Sequence, residues 1–467
     1  MVLVERAAGN LPLSPGRRPA RLAAALALAA AACSPGGPEV PAAAATAPPP
    51  ARNVLLVTID TLRADHLGCY GYDRPTSPAL DEFAAGSVLF EHAMSTSSWT
   101  LPAMASLMTS SLPSRHGCVE LQQRLPAALE TLGERLASAG FVCGAVTSNV
   151  FLSPHYGFDQ GFSSYENILR GKQRAVGRRG RLTSGAITSD VVTDKAIAWL
   201  AAHAGGPDAP RWFLWVHYFD PHGDYVPHRG ISEAFGRARA LDAYDAEIAF
   251  TDQCLGQLLG DVDARGLLAT TAVIVAADHG EEFLDHGQTG HRHTLYQEVV
   301  HVPLLVRAPG APPARCAMGV SLVDVFPTAL DVLGLPAAPE AAGRSLVPAL
   351  RGGALRPQPA VAELTVGEKL REAAVVANDG KLVVDLLTGR SQLYDVAADP
   401  GEAHDLAPQR PEDVQRLSSL LIANLDAAAA GRVDGGAPVA DDGVMQELRA
   451  LGYLGGDGGG EPGGSGH

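Results

Sequence analysis

Three short apolar runs in this chain each end on acidic or metal-binding residues. The runs, each with the residues that follow it, are 53–59 with Asp60, 213–219 with Asp220-Pro221-His222, and 271–277 with Asp278-His279. Runs without polar alternation are typical of strands buried on both faces, as in a parallel sheet covered by helices. Ligands bind beyond the carboxyl ends of such strands. The pattern predicts one metal-centred site at this edge; the alternative is that each Asp only closes the turn after its strand.

The rest of the pattern predicts an α/β fold in two parts. Strands and helices alternate after residue 50, which indicates a doubly wound, mostly parallel sheet in a larger domain over 51–335. Further along, two apolar runs around Asn378-Asp379-Gly380 predict antiparallel strands, and a helix is expected at 411–430. These form a smaller C-terminal α+β subdomain over 336–430. The tail at 431–467 ends in a glycine-rich stretch that is expected to be disordered.

The individual elements of the first part can also be placed. Helices are predicted at about 129–139, 190–204 and 241–259, and additional strands at 141–146 and 304–308.

Residues 1–33 have the pattern of an export signal. Arginines at 17–21 precede an apolar run at 22–32 that is too short to span a membrane. Cys33 stands where a bacterial lipoprotein would carry its lipid, and the Pro/Ala-rich residues 34–50 are expected to act as a flexible tether. We expect an exported protein of the bacterial cell envelope, either periplasmic or anchored to the membrane through Cys33; secretion without lipid is the alternative.

The charge balance bears on partners. The net charge of −15 comes without a basic stripe, which argues against nucleic acid as a partner.

The segment Ser-Trp-Thr-Leu-Pro around Thr100 is typical of a helix start, with Thr100 expected as the N-cap. The positive potential at a helix N-terminus suits an anion or a developing alkoxide. A metal held by Asp60, Asp278 and His279 that also touched this hydroxyl would lower its pKa and make Thr100 a nucleophile. The simpler interpretation is that Thr100 only caps the helix.

Further motifs follow one another along the chain. They are Asp60-Thr-Leu-Arg-Ala-Asp-His-Leu-Gly, Trp99-Thr-Leu-Pro, Pro113-Ser-Arg-His-Gly, Phe219-Asp-Pro-His, Ala277-Asp-His-Gly-Glu, Gly290-His-Arg-His-Thr-Leu-Tyr and Leu393-Tyr-Asp-Val-Ala-Ala-Asp-Pro-Gly-Glu. With these motifs the chain resembles the sulfatase family of the alkaline phosphatase superfamily, from Asn53 to about Ala407. The resemblance implies an alkaline-phosphatase-like fold.

The resemblance also implies roles for the matched residues. Asp60, Asp278 and His279, with Thr100, would bind one divalent cation. Thr100 occupies the position where sulfatases carry the cysteine or serine that becomes formylglycine.

The histidines have separate expectations. His222, and either His291 or His293, would contact the anionic group of the substrate or protonate its leaving oxygen. His217 lies among aromatic residues and is interpreted as structural, while His286 is a reserve candidate. A second metal on Asp220, His222 and His291 is a further option that their spacing does not demand.

Several positions depart from the family pattern. Threonine cannot become formylglycine, so no formylglycine is expected, and Met104 replaces an expected arginine. Asn149 lies where the family's sulfate-binding lysine segment would be, and it is a candidate substrate-binding residue. Thr61 replaces a second carboxylate beside Asp60, which favours Zn or Mn over Ca as the bound ion.

These departures shape the functional prediction. A threonine beside such a metal resembles the phosphodiesterase and phosphoglycerol-transferase branches of the superfamily. We therefore expect an exported, metal-dependent hydrolase of anionic esters that cleaves or transfers phosphate mono- or diesters through Thr100. One alternative is a sulfuric ester hydrolase without formylglycine. The other is a catalytically silent, metal-binding envelope protein.

Overall fold

The computed structural model describes residues 50–168, 189–206, 209–223, 225–236, 238–367, 369–377, 380–433, 436, 444–445 and 448. The predictions for the export signal, the lipid anchor and nearly all of the tether and tail fall outside these residues. Among the described residues, no helix has both the length and the apolar character needed to cross a membrane.

Fifteen strands and eleven α-helices are described. The strands are β1 (Asn53–Ile59), β2 (Val88–Met94), β3 (Val142–Thr147), β4 (Ser164–Asn167), β5 (Trp212–Tyr218), β6 (Thr271–Ala277), β7 (Glu282–Phe283), β8 (Thr289–Gly290), β9 (His301–Arg307), β10 (Ala314–Cys316), β11 (Val320–Ser321), β12 (Ala360–Val366), β13 (Lys369–Ala377), β14 (Gly380–Asp385) and β15 (Ser391–Asp395). The helices are α1 (Pro78–Ala85), α2 (Thr100–Thr109), α3 (Pro113–His116), α4 (Leu132–Ser138), α5 (Ser189–His203), α6 (Ser232–Phe235), α7 (Ala240–Ala264), α8 (Gln297–Val300), α9 (Val325–Val332), α10 (Val347–Leu350) and α11 (Pro411–Ala430).

A nine-stranded sheet forms the centre of the fold, in the order β10-β2-β9-β6-β1-β5-β3-β4, with β11 also paired to β2. The strand pairs are parallel except where β9 meets β2 and β6. Every residue of β1, β5 and β6 is buried, and successive side chains of a strand point to opposite faces, so both faces of the sheet are covered. The predicted mostly parallel α/β sheet is confirmed.

The register of the three central strands places their ends at one level. Ile59 of β1 pairs with Ala277 of β6 and with Tyr218 of β5. The next residues, Asp60 and Asp278, therefore leave the sheet side by side. Because the strand ends are level, the acidic residues that follow the apolar runs in the sequence come together at one edge of the sheet.

The C-terminal part contains the expected antiparallel unit. Strands β12 to β15 form a four-stranded sheet in sequence order, and α11 begins and ends where the sequence predicted. Leu417 and Leu421 of α11 share an apolar cluster with Val375 and Leu382 of the sheet. The domain boundaries at 335 and 430 stay a prediction.

Some element boundaries differ from the sequence prediction. Helix α4 begins at Leu132, three residues after the expected start, because Thr131 caps it: the Thr131 hydroxyl accepts from the Glu134 N–H at 3.1 Å, and the Glu134 carboxylate accepts from the Thr131 N–H at 2.9 Å. Helix α7 continues to Ala264, five residues beyond its predicted end.

Candidate metal centre and active site

Three side chains converge at the end of the central strands. Asp60, Asp278 and His279 each offer one ligand atom, and these atoms lie within 4.8 Å of one another. The His279 Nε2 atom is 3.6 Å from Asp60 Oδ1 and 3.5 Å from Asp278 Oδ2. All three side chains are fully buried. We call these residues the metal corner.

Backbone contacts fix how each group faces the corner. His279 Nδ1 lies 2.9 Å from the Gly280 carbonyl, to which it donates, so its Nε2 lone pair faces the carboxylates. Asp278 Oδ1 accepts from the N–H groups of Thr61 at 3.2 Å and His279 at 2.8 Å. The remaining oxygens, Asp60 Oδ1 and Asp278 Oδ2, are buried without a hydrogen-bond partner among the described residues.

The metal corner fits a divalent cation. Buried carboxylate oxygens without partners are costly, and two of them beside an imidazole lone pair form a ligand set suited to Zn or Mn. Structural waters or an ion would meet the same need, but the two aligned carboxylates favour a cation.

Burial and neighbouring charges shift the pKa values of the metal-corner residues in different directions. Burial and the adjacent Asp60 charge raise the pKa of Asp278 well above its usual range. Burial also acts to raise the pKa of Asp60, but the hydrogen bond from His217 and the surrounding imidazoles outweigh it and the pKa is lowered. Burial lowers the pKa of His279 to about 3, which keeps the ring neutral and available as a ligand.

Thr100 lies beside this corner, although it is not the N-cap. Helix α2 begins at Thr100 itself, the cap position belongs to Trp99, and neither makes a side-chain capping bond. The N-cap prediction is therefore wrong. Because the hydroxyl is not used for capping, Thr100 Oγ1 can lie 3.3 Å from His279 Nε2.

Asn149 connects the hydroxyl to the corner. It follows β3, and its Nδ2 donates to Asp60 Oδ2 at 2.5 Å and to Thr100 Oγ1 at 3.4 Å. Its own Oδ1 accepts from the Phe151 N–H at 2.8 Å, which fixes the amide orientation. The candidate substrate-binding residue thus lies against the candidate nucleophile.

Two of the predicted histidines approach the same place. The ring of His291 lies 4.6 Å from that of His279, and the ring of His222 lies 5.2 Å from that of His291. His222 stacks on Phe219 at 4.5 Å. His291 Nδ1 is 3.1 Å from Glu281 Oε1, so a buried carboxyl orients this ring.

His293 and His286 are engaged elsewhere. The Nε2 atom of His293 is 2.7 Å from Glu282 Oε2, and its Nδ1 is 3.1 Å from the His291 carbonyl. His286 is 2.7 Å from Glu298 Oε1 and stacks on Tyr296. The structure therefore brings His291, rather than His293, next to the metal corner.

The optional second metal has no assembled ligand set. Asp220 turns to Ser189, whose N–H and hydroxyl donate to Asp220 Oδ2 at 2.7 and 2.8 Å. In the part of the chain that the structure describes, the metal corner is the one cluster of at least three candidate ligand residues.

Sequence reasoning missed three neighbours of the site. Glu281 orients His291, and His217, interpreted as structural only, is 3.4 Å from Asp60 Oδ2. The Arg292 guanidinium lies 4.3 Å from the ring of Trp99, and the backbone N–H of Arg292 donates to the Ser98 carbonyl at 3.1 Å. Arg292 and Glu281 belong to motifs already noted. The signal for His217 is Thr58, a second polar residue within an apolar run, on the strand that pairs with the strand of His217.

Comparison with known protein families identifies the family of this chain. The sequence model described as Sulfatase matches residues 52–335, more than half of the chain. The chain belongs to the sulfatase family. As a member of the alkaline phosphatase superfamily, it carries the metal corner at the edge of the family's mostly parallel sheet.

Individual relatives cover different parts of this sulfatase-family chain. Arylsulfatase K of Xenopus laevis is 30% identical over 233 residues, which is 46% of this chain and 43% of the relative, so the match spans less than half of that protein. Human arylsulfatase A is 26% identical over 451 residues, covering 80% of this chain and 88% of the relative.

A solved structure shares the fold. The phosphonate monoester hydrolase of Agrobacterium radiobacter superposes with a TM-score of 0.67 at 21% identity, over 81% of this chain and 96% of that one. At this identity the likeness concerns the fold.

Proposed function

We propose that this sulfatase-family protein is a metal-dependent hydrolase of phosphate esters with Thr100 as the nucleophile. The observation that carries the proposal is the Thr100 hydroxyl 3.3 Å from His279 Nε2 at the metal corner. Threonine has no route to formylglycine, so a sulfatase-type aldehyde nucleophile cannot form at this position. The unmodified hydroxyl is the group left to attack.

The metal corner would hold the cation through Asp60, Asp278, His279 and the Thr100 oxygen. A bound divalent ion would lower the pKa of the hydroxyl and offset negative charge on the substrate. The fit rests on the two buried carboxylate oxygens that lack partners among the described residues.

The residues around the corner would bind and orient the anionic group. Asn149 Nδ2 already donates to the Thr100 oxygen, so a phosphoryl oxygen beside that oxygen is within its reach. Arg292 adds positive charge next to Trp99, the residue before the nucleophile. His222, which faces His291, would contact the same group from the other side.

The reaction would proceed as two displacements. Beside a bound cation the Thr100 hydroxyl would lose its proton to solvent. Its oxygen would then form a bond to phosphorus while the bond to the leaving oxygen breaks, and the leaving oxygen would take a proton from His291, whose ring Glu281 holds in place. Water, or an acceptor alcohol in a transfer reaction, then cleaves the Thr100 ester and restores the hydroxyl. The fold also houses a phosphonate monoester hydrolase, so it accommodates a phosphorus centre.

Sulfate-ester hydrolysis is the second candidate, because the family match and the arylsulfatase relatives favour it. In that case unmodified Thr100 or a water molecule would attack sulfur. The replacement of the expected arginine by Met104 and of the sulfate-binding lysine segment around Asn149 weighs against this candidate. If no ester is turned over, the same replacements favour the remaining alternative, a catalytically silent, metal-binding envelope protein.

Replacing Thr100 tests the proposal. We expect Thr100→Ala to lower kcat on the preferred ester by about 10³-fold or more, because no other described hydroxyl lies against His279 Nε2. The preferred ester is found by comparing nitrophenyl phosphate, bis-nitrophenyl phosphate and nitrophenyl sulfate. Elemental analysis of both proteins identifies the metal and checks that the variant keeps it.

Thr109→Ala is the matched control, since Thr109 lies on the same helix and is also buried. Its hydroxyl donates to the Ala105 carbonyl at 2.7 Å, away from the metal corner, and this variant should retain activity. Full activity of Thr100→Ala would show that water attacks directly. Preference for nitrophenyl sulfate would overturn the phosphate assignment.

A further inference from the structure

His217 lies in the middle of β5 and is completely buried. Its Nε2 atom is 3.4 Å from Asp60 Oδ2, and its Nδ1 atom is 2.8 Å from Thr58 Oγ1. The indole Nε1 of Trp215 donates to the same Thr58 oxygen at 2.9 Å. A continuous chain of hydrogen bonds therefore leads from Trp215 through Thr58 and His217 to a metal-corner carboxylate.

The carboxylate end sets the direction of this chain, because Asp60 Oδ2 only accepts and therefore takes its hydrogen bond from His217 Nε2. An indole N–H can only donate, so it occupies a lone pair of the Thr58 oxygen. The hydroxyl proton of Thr58 then points to its nearest acceptor, His217 Nδ1, rather than to the Val216 carbonyl at 3.5 Å. His217 must carry its own proton on Nε2, which donates to the Asp60 carboxylate.

This chain decides which oxygen of Asp60 faces the metal corner. Asp60 Oδ2 accepts from both His217 Nε2 and Asn149 Nδ2, whereas Oδ1 has no partner among the described residues. The two donors fix the plane of the carboxylate, so Asp60 Oδ1 faces the metal corner in a single side-chain conformation.

We propose that Trp215, Thr58 and His217 are positioning residues for the metal centre, and we call them the Thr58 relay. None of the three touches the metal corner's open oxygens, and they act only through Asp60. Hydrogen-bonded partners of ligating groups commonly control metal affinity, and their loss weakens binding about 10- to 100-fold.

Packing alone does not account for this arrangement. Strands β1 and β5 lie in the apolar centre of the sheet, where Thr58 and His217 are paired neighbours in register. Val57 and Val216 show that valine fills adjacent positions of the same strands. A polar group buried here needs a hydrogen-bond partner, and the series of partners that begins at Trp215 ends on Asp60.

Replacing Thr58 by valine tests the relay because valine matches threonine in shape and lacks the hydroxyl. The inference rests on the proposed metal centre, so the readout is the Kd for Zn²⁺ or Mn²⁺, whichever elemental analysis finds, measured by competition with a chelating dye. We expect Thr58→Val to raise the Kd about 10- to 100-fold and Thr58→Ser, which keeps the hydroxyl, to restore tight binding.

Thr193→Val is the matched control. Thr193 is also fully buried, and its hydroxyl lies 2.8 Å from the Tyr218 hydroxyl, the same distance as the Thr58 contact with His217. The described hydrogen-bond partners of its hydroxyl, Tyr218 and Cys254, are not metal-corner residues, so Thr193→Val should leave the Kd unchanged. Circular dichroism checks that each variant folds.

The outcomes separate the two hypotheses. A wild-type protein that binds no divalent metal contradicts the metal centre itself. A wild-type protein that binds metal, with Thr58→Val binding equally well, contradicts the relay alone. Equal losses in Thr58→Val and Thr193→Val would show a general packing effect and would also contradict it.

Discussion

The two histidines of the His291-Arg292-His293 segment have different surroundings despite their closeness in sequence. His291 lies beside His279 and His222 and is held by the buried Glu281. Burial lowers the pKa of the His291 ring to about 4, and Arg292 nearby acts in the same direction. His293 is tied to Glu282 instead. On the ground of this position, and not of its lowered pKa, we propose that His291 supplies the proton that the leaving oxygen needs.

Paired variants test this assignment. We expect His291→Gln to lower kcat about 10²-fold or more on an alkyl phosphate, whose leaving oxygen needs a proton. The loss should be smaller on nitrophenyl phosphate, because nitrophenolate leaves without one. His293→Gln is the control and should show no dependence on the leaving group. Equal losses of His291→Gln on both substrates would contradict the role in proton transfer.

At the scale of elements, β12 connects the C-terminal sheet to the loop before Thr100. The Glu363 N–H donates to the Thr96 carbonyl at 2.9 Å, and the Ser97 hydroxyl donates to the Glu363 carbonyl at 2.8 Å. The buried Glu363 side chain accepts from the Ser114 hydroxyl at 2.9 Å. Burial raises the pKa of Glu363 to about 7, and the Ser114 bonds only partly offset this. This contact between elements should therefore depend on pH.

The sign of that dependence follows from the raised pKa. The folded protein binds the Glu363 proton more tightly than the unfolded chain does, so the associated stability is present below about pH 4.5 and is lost as pH rises through about 7. Glu363→Gln removes the ionisation and should be more stable than wild type at pH 8 by about 1–3 kcal/mol, with little difference at pH 5. Urea unfolding at both pH values measures the change, with the exposed Glu82→Gln as control. A difference independent of pH would contradict the account.

At the scale of the whole molecule, the pattern of apolar and polar residues predicted the main strands and the edge of the sheet at which they end. The apolar runs ending at Asp60 and Asp278 are adjacent strands, so the two acidic residues leave the sheet side by side, and strands β13 and β14 are antiparallel as expected. The direction of β9 was beyond reach, because an apolar run reads the same in either direction.

The pattern could not predict which way side chains in loops turn. Asp220 follows its strand as Asp60 does, yet it accepts from Ser189, a residue that only the packing of α5 brings near. Choosing His291 over His293 likewise required the positions of Glu281 and Glu282. Such partners depend on tertiary contacts between segments far apart in sequence, and spacing along the chain carries no record of them.

The stereochemistry of turnover tests the central claim, attack by Thr100, most directly. The measurement uses either a diester hydrolysed in isotopically labelled water or a monoester transferred to an acceptor alcohol, each made chiral at phosphorus with oxygen isotopes, and determines the configuration of the ester product. Each in-line displacement inverts phosphorus, so two displacements through a Thr100 ester predict net retention. Net inversion would mean a single attack by water and would contradict the nucleophile assignment.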